Sequence, residues 1–202
     1  MKLLSLMLYK WKEEQPTELM ACMELSSFNF FQRAPIKEQV RFRSRLVAGK
    51  TPLGKRSVIE LEKELGEAKA NVWVHPQGVA AVVLVDNEYP MRVSFSLLSE
   101  AVRIFLERMQ GKWEDTSSDQ QFSVPEIEDL FQKFQNPAEA DKLTKVESDL
   151  EEVKGLVMQS LDDLLKRGES LDQLMAKSKD LSNTSVQFYR TAKKNNQCCK
   201  MY

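Results

Sequence analysis

The sequence predicts a compact α/β domain over residues 1–135, followed by one long amphipathic helix that requires partner helices. Three observations lead to this prediction. The N-terminal part alternates apolar runs of strand length with apolar residues at helical spacing, and Pro- or Gly-containing turns separate them. The last third carries apolar residues in alternating steps of three and four. At 202 residues, the chain has room for one globular domain and an extended segment.

The first half of the domain is predicted to form a hairpin, a helix and a further strand. The two strands of the hairpin are the apolar runs Leu3 to Trp11 and Leu19 to Leu25. Pro35 suits the first turn of a helix, which Gly49 then ends. Residues 57–61 favour a strand, although the charged residues that follow also fit a helix.

The second half is predicted to form another hairpin and two helices. A Pro-Gln-Gly turn at 76–78 joins strands at 71–75 and 79–86. Helical apolar spacing follows Pro90 and runs to Gly111, and residues 114–121 have the polar composition of a surface loop. Ser123 and Glu126 have the spacing of a capping box that would open a short helix.

The final helix is predicted to run from about residue 138 to 195, with Pro137 at its first position. Its apolar seam consists of Leu143, Val146, Leu150, Val153, Val157, Ser160, Leu164, Arg167, Leu171, Leu174, Ser178, Leu181, Ser185, Phe188, Ala192 and Asn195. Such a helix would be about 85 Å long. A monomer of this size cannot bury so long a face, so the seam predicts partner helices.

Arg167 stands at the midpoint of this seam. An unpaired guanidinium in a packed seam costs several kcal/mol, so a buried Arg167 must meet hydrogen-bond acceptors. A single polar seam residue also fixes register and oligomeric state. The alternative is an arginine that reaches out to solvent at the edge of an ordinary coiled coil. The central position favours the buried interpretation.

The C-terminal tail predicts covalent lipid attachment. Cys199 is fourth from the end, the spacing that a prenyltransferase requires, and Cys198 beside it could carry a second acyl chain. One lipid gives reversible membrane binding and two give a stable anchor. Lys200 and Tyr202 are unusual in such a signal, which leaves the choice between farnesyl and geranylgeranyl open. The longest apolar run, Val79 to Val85, is far below the roughly 20 residues that span a bilayer.

Composition and motifs argue against several other functions. A net charge of −1 argues against nucleic acid as the main partner. Three cysteines, two of them terminal, do not form a disulfide framework and indicate a reducing cytosolic setting. His75, the only histidine, precedes a proline at a hairpin end and is interpreted as structural. We find no metal-ligand spacing and no glycine-rich phosphate loop, so no catalytic or metal-binding residue is predicted.

Specific stretches resemble a known family. The stretch SLDDLLKRGESLDQLMAKS (160–178) is similar to the centre of an R-SNARE motif. The stretches SSFNFFQR (26–33) and DNEYPMRVSFSLL (86–98) resemble a longin domain. With the two terminal cysteines, the whole chain resembles the lipid-anchored longin R-SNAREs of the synaptobrevin superfamily, the ykt type. The final Lys-Met-Tyr departs from the family's usual small or aliphatic residues.

The resemblance implies a fold and a mechanism. Residues 1–135 would form an α+β longin (profilin-like) domain with a five-stranded antiparallel-type sheet flanked by helices. Residues 136–197 would be the coiled-coil SNARE helix, and 198–202 the lipidation tail. The helix would join three Q-SNARE helices in a parallel bundle, where Arg167 meets one glutamine from each. Ser178 and Ser185 would fit layers with bulkier partner residues.

The resemblance also implies regulation and a location. The longin domain would fold back on its own SNARE segment and shelter the prenyl group in a groove, with Phe42 as a candidate wall residue. The protein would move between the cytosol and the cytoplasmic face of Golgi, endosomal or vacuolar membranes and of ER-Golgi vesicles. No cofactor is implied apart from covalent lipids on Cys199 and Cys198. A prenylated coiled-coil adaptor or tether, which would not need a central arginine, is the alternative function.

Overall fold

The computed structural model describes residues 2–61, 68–144, 156–165 and 168–198. Within these residues the chain forms a six-stranded sheet with helices on both faces. The strands are β1 (Leu3–Lys10), β2 (Thr17–Met23), β3 (Arg56–Glu60), β4 (Ala68–Val74), β5 (Val79–Asp86) and β6 (Val157–Ser160). The helices are α1 (Phe30–Lys50), α2 (Met91–Met109), α3 (Pro125–Lys133), α4 (Pro137–Thr144), α5 (Leu161–Leu164), α6 (Leu171–Lys177) and α7 (Asn183–Cys198).

The sheet has the order β2-β1-β5-β4-β3-β6. All neighbouring strands are antiparallel except β3 and β6, which are parallel. The apolar run of β5 lies near the centre and is buried on both faces, as expected for a continuous apolar strand. Its odd-numbered residues pack on one side of the sheet and its even-numbered residues on the other.

Each face of the sheet carries a separate core. On one face, α2 and α3 pack with residues such as Phe95, Phe105 and Phe131. On the other face, α1 packs beside buried residues of the C-terminal segment, which we define as residues 136–197. The second core therefore belongs jointly to the N-terminal domain, residues 1–135, and to the C-terminal segment.

Most predicted elements of the N-terminal domain are confirmed, with two corrections. The predicted hairpins, the strand at 57–61 and the helix after Pro90 lie within three residues of their observed bounds. Helix α1, however, begins at Phe30, so Pro35 is inside the helix and not in its first turn. The predicted capping box is also wrong: Val124 caps α3 without a side-chain hydrogen bond, and the Ser123 hydroxyl lies 3.4 Å from Glu128 instead.

The sheet has six strands and not the expected five, because β6 of the C-terminal segment extends it at β3. The described part of that segment is likewise not one continuous helix. Ser160 and Ser170 each cap a new helix through their hydroxyl groups, and Gly168 has a φ of +89° that interrupts helical geometry. Without partner helices, the segment follows these local signals and buries apolar residues against the N-terminal domain instead.

Candidate functional site

The candidate site is the interface between the N-terminal domain and the described part of the C-terminal segment. Two seam residues, Leu171 and Ser185, are buried there. Four more are partly buried against the same core: Leu164, Leu174, Leu181 and Phe188. Ser160, Ser178 and Ala192 are half-buried, while Val157 is 48% exposed. The N-terminal domain therefore covers much of the described part of the seam, which the sequence assigned to partner helices.

Several predicted residues lie outside the described residues. These are Val146, Leu150, Val153, Arg167 and Cys199. For Leu143 in α4, and for Asn195 and Cys198 in α7, the structure describes the backbone but not the side chain. The predicted roles of Arg167 and of the two cysteines thus stay predictions from the sequence.

Arg45 of α1 forms a buried ionic contact with the C-terminal segment. Its Nε and Nη2 atoms donate to the two carboxylate oxygens of Asp180, at 2.6 and 3.0 Å. The same guanidinium donates twice to Asp119 at 3.0 Å and once to the carbonyl oxygen of Pro16 at 2.6 Å. The side chains of Arg45 and Asp180 are 10% and 8% exposed, so this pair is shielded from water. Bidentate geometry makes the contact directional as well as attractive.

Glu38 of α1 receives the start of α7. Its Oε2 atom accepts the backbone N–H of Ser182 at 2.7 Å and the hydroxyl of Ser185 at 2.6 Å. The amide of Gln39, the next residue, donates to the carbonyl oxygen of Ser185 at 3.3 Å. Ser185 is a seam residue, so these contacts occupy a position that the sequence assigned to a partner helix.

Tyr189 of α7 is the largest apolar anchor at the interface. Its side chain is completely buried, and the Arg43 guanidinium carbon lies 5.4 Å from the ring centroid. The Lys193 ammonium is 5.5 Å from the same centroid and donates to the phenol oxygen at 3.4 Å. Two cations near one aromatic ring give a cation–π contact on top of the apolar burial.

A cavity of about 430 Å³ lies beside Phe42, between α1 and the C-terminal segment. Phe42 is only 5% exposed, and Leu46 and Leu174 contribute further apolar surface. The lining also includes the Lys50 ammonium, which contacts the Glu169 carboxylate at 2.7 Å. Phe42 thus lines a cavity that combines apolar and charged side chains.

The carboxylates of the interface have shifted pKa values. Burial alone would raise the pKa of Asp119, but hydrogen bonds from Arg45, from the backbone N–H of Glu18 and from Lys179 lower it to about 2. Burial likewise acts to raise the pKa of Glu38, and hydrogen bonds from Ser185 and Ser182 outweigh it, leaving a pKa below the ordinary value. Both groups are therefore ionised at neutral pH, as their contacts require.

Sequence reasoning did not identify Glu38, Arg43, Arg45, Asp180 or Tyr189 as interface residues. One signal was present for Arg43, because it continues the apolar spacing Ile36, Val40, Arg43, Val47 of α1. An arginine at a position of apolar spacing is expected to be buried and to need partners, which is the argument already applied to Arg167. The other four residues have no such periodic signal, since their roles depend on contacts far apart in sequence.

Other reactive side chains have structural surroundings. The His75 ring packs edge-on against Trp73 at 5.1 Å between centroids, and its Nδ1 accepts the backbone N–H of Gln77. Burial raises the pKa of the Cys22 thiol to about 11, which disfavours the reactive thiolate. In the part of the chain that the structure describes, no group of His, Cys, Asp and Glu could hold a metal ion. No helix within those same residues is both long and apolar enough to cross a bilayer.

Both parts of the chain that form this interface match models of known protein families. Residues 142–202 match the family model described as Synaptobrevin, and residues 25–136 match the one described as Regulated-SNARE-like domain. The VAMP-like protein YKT61 of Arabidopsis thaliana is 37% identical over 201 residues, covering 98% of each chain. The synaptobrevin homolog ykt6 of Schizosaccharomyces pombe is 35% identical over 200 residues, again covering 98% of each. The synaptobrevin homolog YKT6 of Debaryomyces hansenii is 34% identical over 188 residues, or 92% of each chain.

Proposed function

The chain belongs to the synaptobrevin family, as a longin-domain R-SNARE of vesicle trafficking and membrane fusion, and we propose how it performs this role. In this proposal, residues 136–197 supply one helix to a parallel bundle with three Q-SNARE helices. The observation that carries the proposal is the seam itself, with Arg167 at its midpoint. Bundle formation would straighten the segment into one helix and pull two membranes together.

Arg167 is the residue to which we assign the central polar layer. A guanidinium has five N–H donors, and three glutamine side chains offer three amide oxygens as acceptors. Neutral acceptors satisfy the buried charge without adding a second buried ion. A shift of the helix by one seam layer would leave the guanidinium among apolar side chains, so the layer also fixes register.

Mixing residues 138–197 with three glutamine-bearing helices tests this assignment. The complex should have more helix, by circular dichroism, than the sum of its components. Arg167→Ala should lower its melting temperature, whereas the matched control Lys166→Ala, one residue off the seam, should leave it nearly unchanged. A stable homodimer as the only product would refute the bundle.

The contact between the N-terminal domain and the C-terminal segment is proposed to slow assembly. Support comes from the seam residues Leu171 and Ser185, which are buried in that contact and would have to leave it to join a bundle. The full chain should therefore assemble with the same Q helices more slowly than residues 138–197 alone. Equal rates, together with unprotected amides in α7 of the full chain, would rule out this regulation.

Cys199 is the proposed prenylation site, and Cys198 is proposed to carry a reversible acyl chain. Each buried methylene contributes about 0.8 kcal/mol, so a second chain changes membrane partitioning by orders of magnitude. We assign the cavity beside Phe42 as the shelter for the prenyl chain while the protein is in the cytosol. Acylation would then fix the protein on the cytoplasmic face of Golgi, endosomal or vacuolar membranes and of ER-Golgi vesicles.

Intact mass spectrometry of the protein from its native host tests the anchor. The expected mass includes a prenyl group, without residues 200–202. Cys199→Ser should abolish the lipid-anchored fraction on membranes, and Cys198→Ser should leave the protein prenylated but mostly cytosolic. Membrane-bound protein with an unmodified terminus at Tyr202 would overturn this anchor and favour the adaptor.

A further inference from the structure

Two adjacent aromatic rings project from the N-terminus of α1. Phe30 is 77% exposed and Phe31 is 90% exposed, and the rings contact each other edge-on at 5.7 Å between centroids. Phe28, two residues earlier, packs against the core shared with the C-terminal segment. The chain is thus anchored by one phenylalanine and presents the next two to solvent. A pair of neighbouring exposed rings is an apolar patch, unlike the isolated exposed apolar residues found on every protein.

Hydrogen bonds hold the turn that presents these rings. The Arg33 guanidinium donates from Nε to the carbonyl oxygen of Phe28 and from Nη2 to that of Ser26, both at 3.0 Å. Pro35 and Ile36 are buried and fix the next turn of the helix. The rings therefore stand on an ordered platform, although their own side chains bury little surface in the fold.

Basic side chains continue the same helix face. Arg33 and Lys37 are exposed, three and seven residues after Phe30, which places them on its side of α1. The first turn contains no acidic residue. The nearest carboxylates in sequence are Glu24 and Glu38: Glu24 accepts the backbone N–H of Ser26 and also interacts with the charge of Arg33, and Glu38 binds the start of α7.

We propose that this surface docks on an anionic lipid bilayer, with Phe30 and Phe31 inserted at headgroup depth and Arg33 and Lys37 facing lipid phosphates. Exposed aromatic rings next to cationic side chains are the combination that binds the bilayer interface. The ordered turn adds no folding cost on docking. The surface consists of residues other than those of the seam and the terminal cysteines, so it would hold the N-terminal domain to the membrane in addition to any lipid anchor.

Vesicle flotation of the full chain tests the proposal without lipid modification. Cys198→Ser and Cys199→Ser remove both predicted lipid sites, and vesicles of phosphatidylcholine are compared with vesicles that also contain phosphatidylserine. The double variant Phe30→Ser, Phe31→Ser should bind phosphatidylserine vesicles at least about tenfold more weakly, since burial of one ring alone is worth about a factor of ten. Leu53→Ser, a matched change at a residue that is 45% exposed beyond the other end of α1, should bind like the parent.

A charge change tests the basic part of the surface. Lys37→Glu should weaken binding to vesicles and reduce the dependence of that binding on salt. Two further readouts, the thermal midpoint and the rate of assembly, separate docking from misfolding and from SNARE assembly. The thermal midpoint and the rate of assembly with Q helices in solution should match the parent for all of these variants, because the changed side chains are exposed. Failure of the parent to bind, equal binding to both vesicle types, or unchanged binding by the double phenylalanine variant would each overturn the proposal. The assembly assay would still report on the SNARE function in every case.

Discussion

Replacing Tyr189 with alanine should release α7 from the N-terminal domain without weakening the SNARE bundle. The ring is completely buried against the N-terminal domain, with Arg43 and Lys193 beside it. Tyr189 nevertheless follows the seam residue Phe188 and is not itself at a seam position. In a bundle built on the seam, its side chain would lie outside the packed layers.

The expected loss can be derived from this burial. Truncating a fully buried aromatic side chain to alanine costs about 3 kcal/mol or more, and the cation–π contacts are part of that loss. Every 1.4 kcal/mol is a factor of ten in an equilibrium constant. We call the form with the C-terminal segment packed on the N-terminal domain the closed form, and the form with the segment released the open form. Tyr189→Ala should therefore shift the equilibrium between them by roughly a hundredfold toward the open form.

The assay compares assembly rates of full-length proteins with a fixed set of Q helices. Tyr189→Ala should approach the rate of isolated residues 138–197, and amide exchange in α7 should become faster in the absence of partners. Tyr189→Phe keeps the buried ring and removes the phenol oxygen to which Lys193 donates at 3.4 Å, so it should stay much closer to the parent than Tyr189→Ala does. Arg190→Ala, at the exposed neighbouring position, is a second control.

Two results would contradict this reasoning. Parental rates and parental α7 protection in Tyr189→Ala would mean that the buried ring does not hold the closed form. A lower melting temperature of the assembled bundle would mean that Tyr189 belongs to the seam and that the register is wrong. Faster assembly with an unchanged bundle melting temperature is the outcome that the structure predicts.

Three further changes test the ionic contacts and the central layer. Asp180→Asn should weaken the closed form by about 2 kcal/mol. The loss is smaller than for Tyr189→Ala because Arg45 still has its hydrogen bonds to Asp119. A double-mutant cycle with Arg45→Gln would measure the coupling energy between Arg45 and Asp180. Asp119 has a pKa of about 2 against an ordinary 3.8, so its stabilising effect is complete above the ordinary value and is lost as pH falls toward 2. Urea titrations across that range should show a steeper acid loss in the parent than in Asp119→Asn. Arg167→Gln should still assemble, with four amides in the layer, but with a lower melting temperature; an unchanged melting temperature would contradict a buried guanidinium.

The N-terminal domain was largely predictable because its signals are local. The apolar run of β5 and the Pro-Gln-Gly turn before it specify a strand and a hairpin within a few residues. The helix after Pro90 follows the same way from its apolar spacing. The start of α1 was wrong because Pro35 was placed at a helix start, whereas the contacts of Arg33 with the preceding loop extend the helix back to Phe30.

The interface was not predictable from local signals. Periodicity identifies which residues of the C-terminal segment are apolar, and it does not say whether a partner helix or the N-terminal domain covers them. The sixth strand depends on β6 meeting β3, about 100 residues away in sequence, in parallel register. Arg45 meets Asp119 and Asp180 only after three distant segments have come together.

The contact with the N-terminal domain uses some residues that the bundle does not use, which makes the two states separable by mutation. Seam residues such as Leu171 and Ser185 are buried in the closed form and would be buried again in the bundle, so changes there weaken both states. Asp180, Ser182 and Tyr189 contact the N-terminal domain from positions off the seam. Their contacts stabilise only the closed form, and the free energy that they contribute is what the Q helices must overcome. Ser182 makes its contact through the backbone N–H, so substitutions at Asp180 and Tyr189 are the informative ones, and they should change the rate of assembly while leaving the stability of the assembled bundle unaltered.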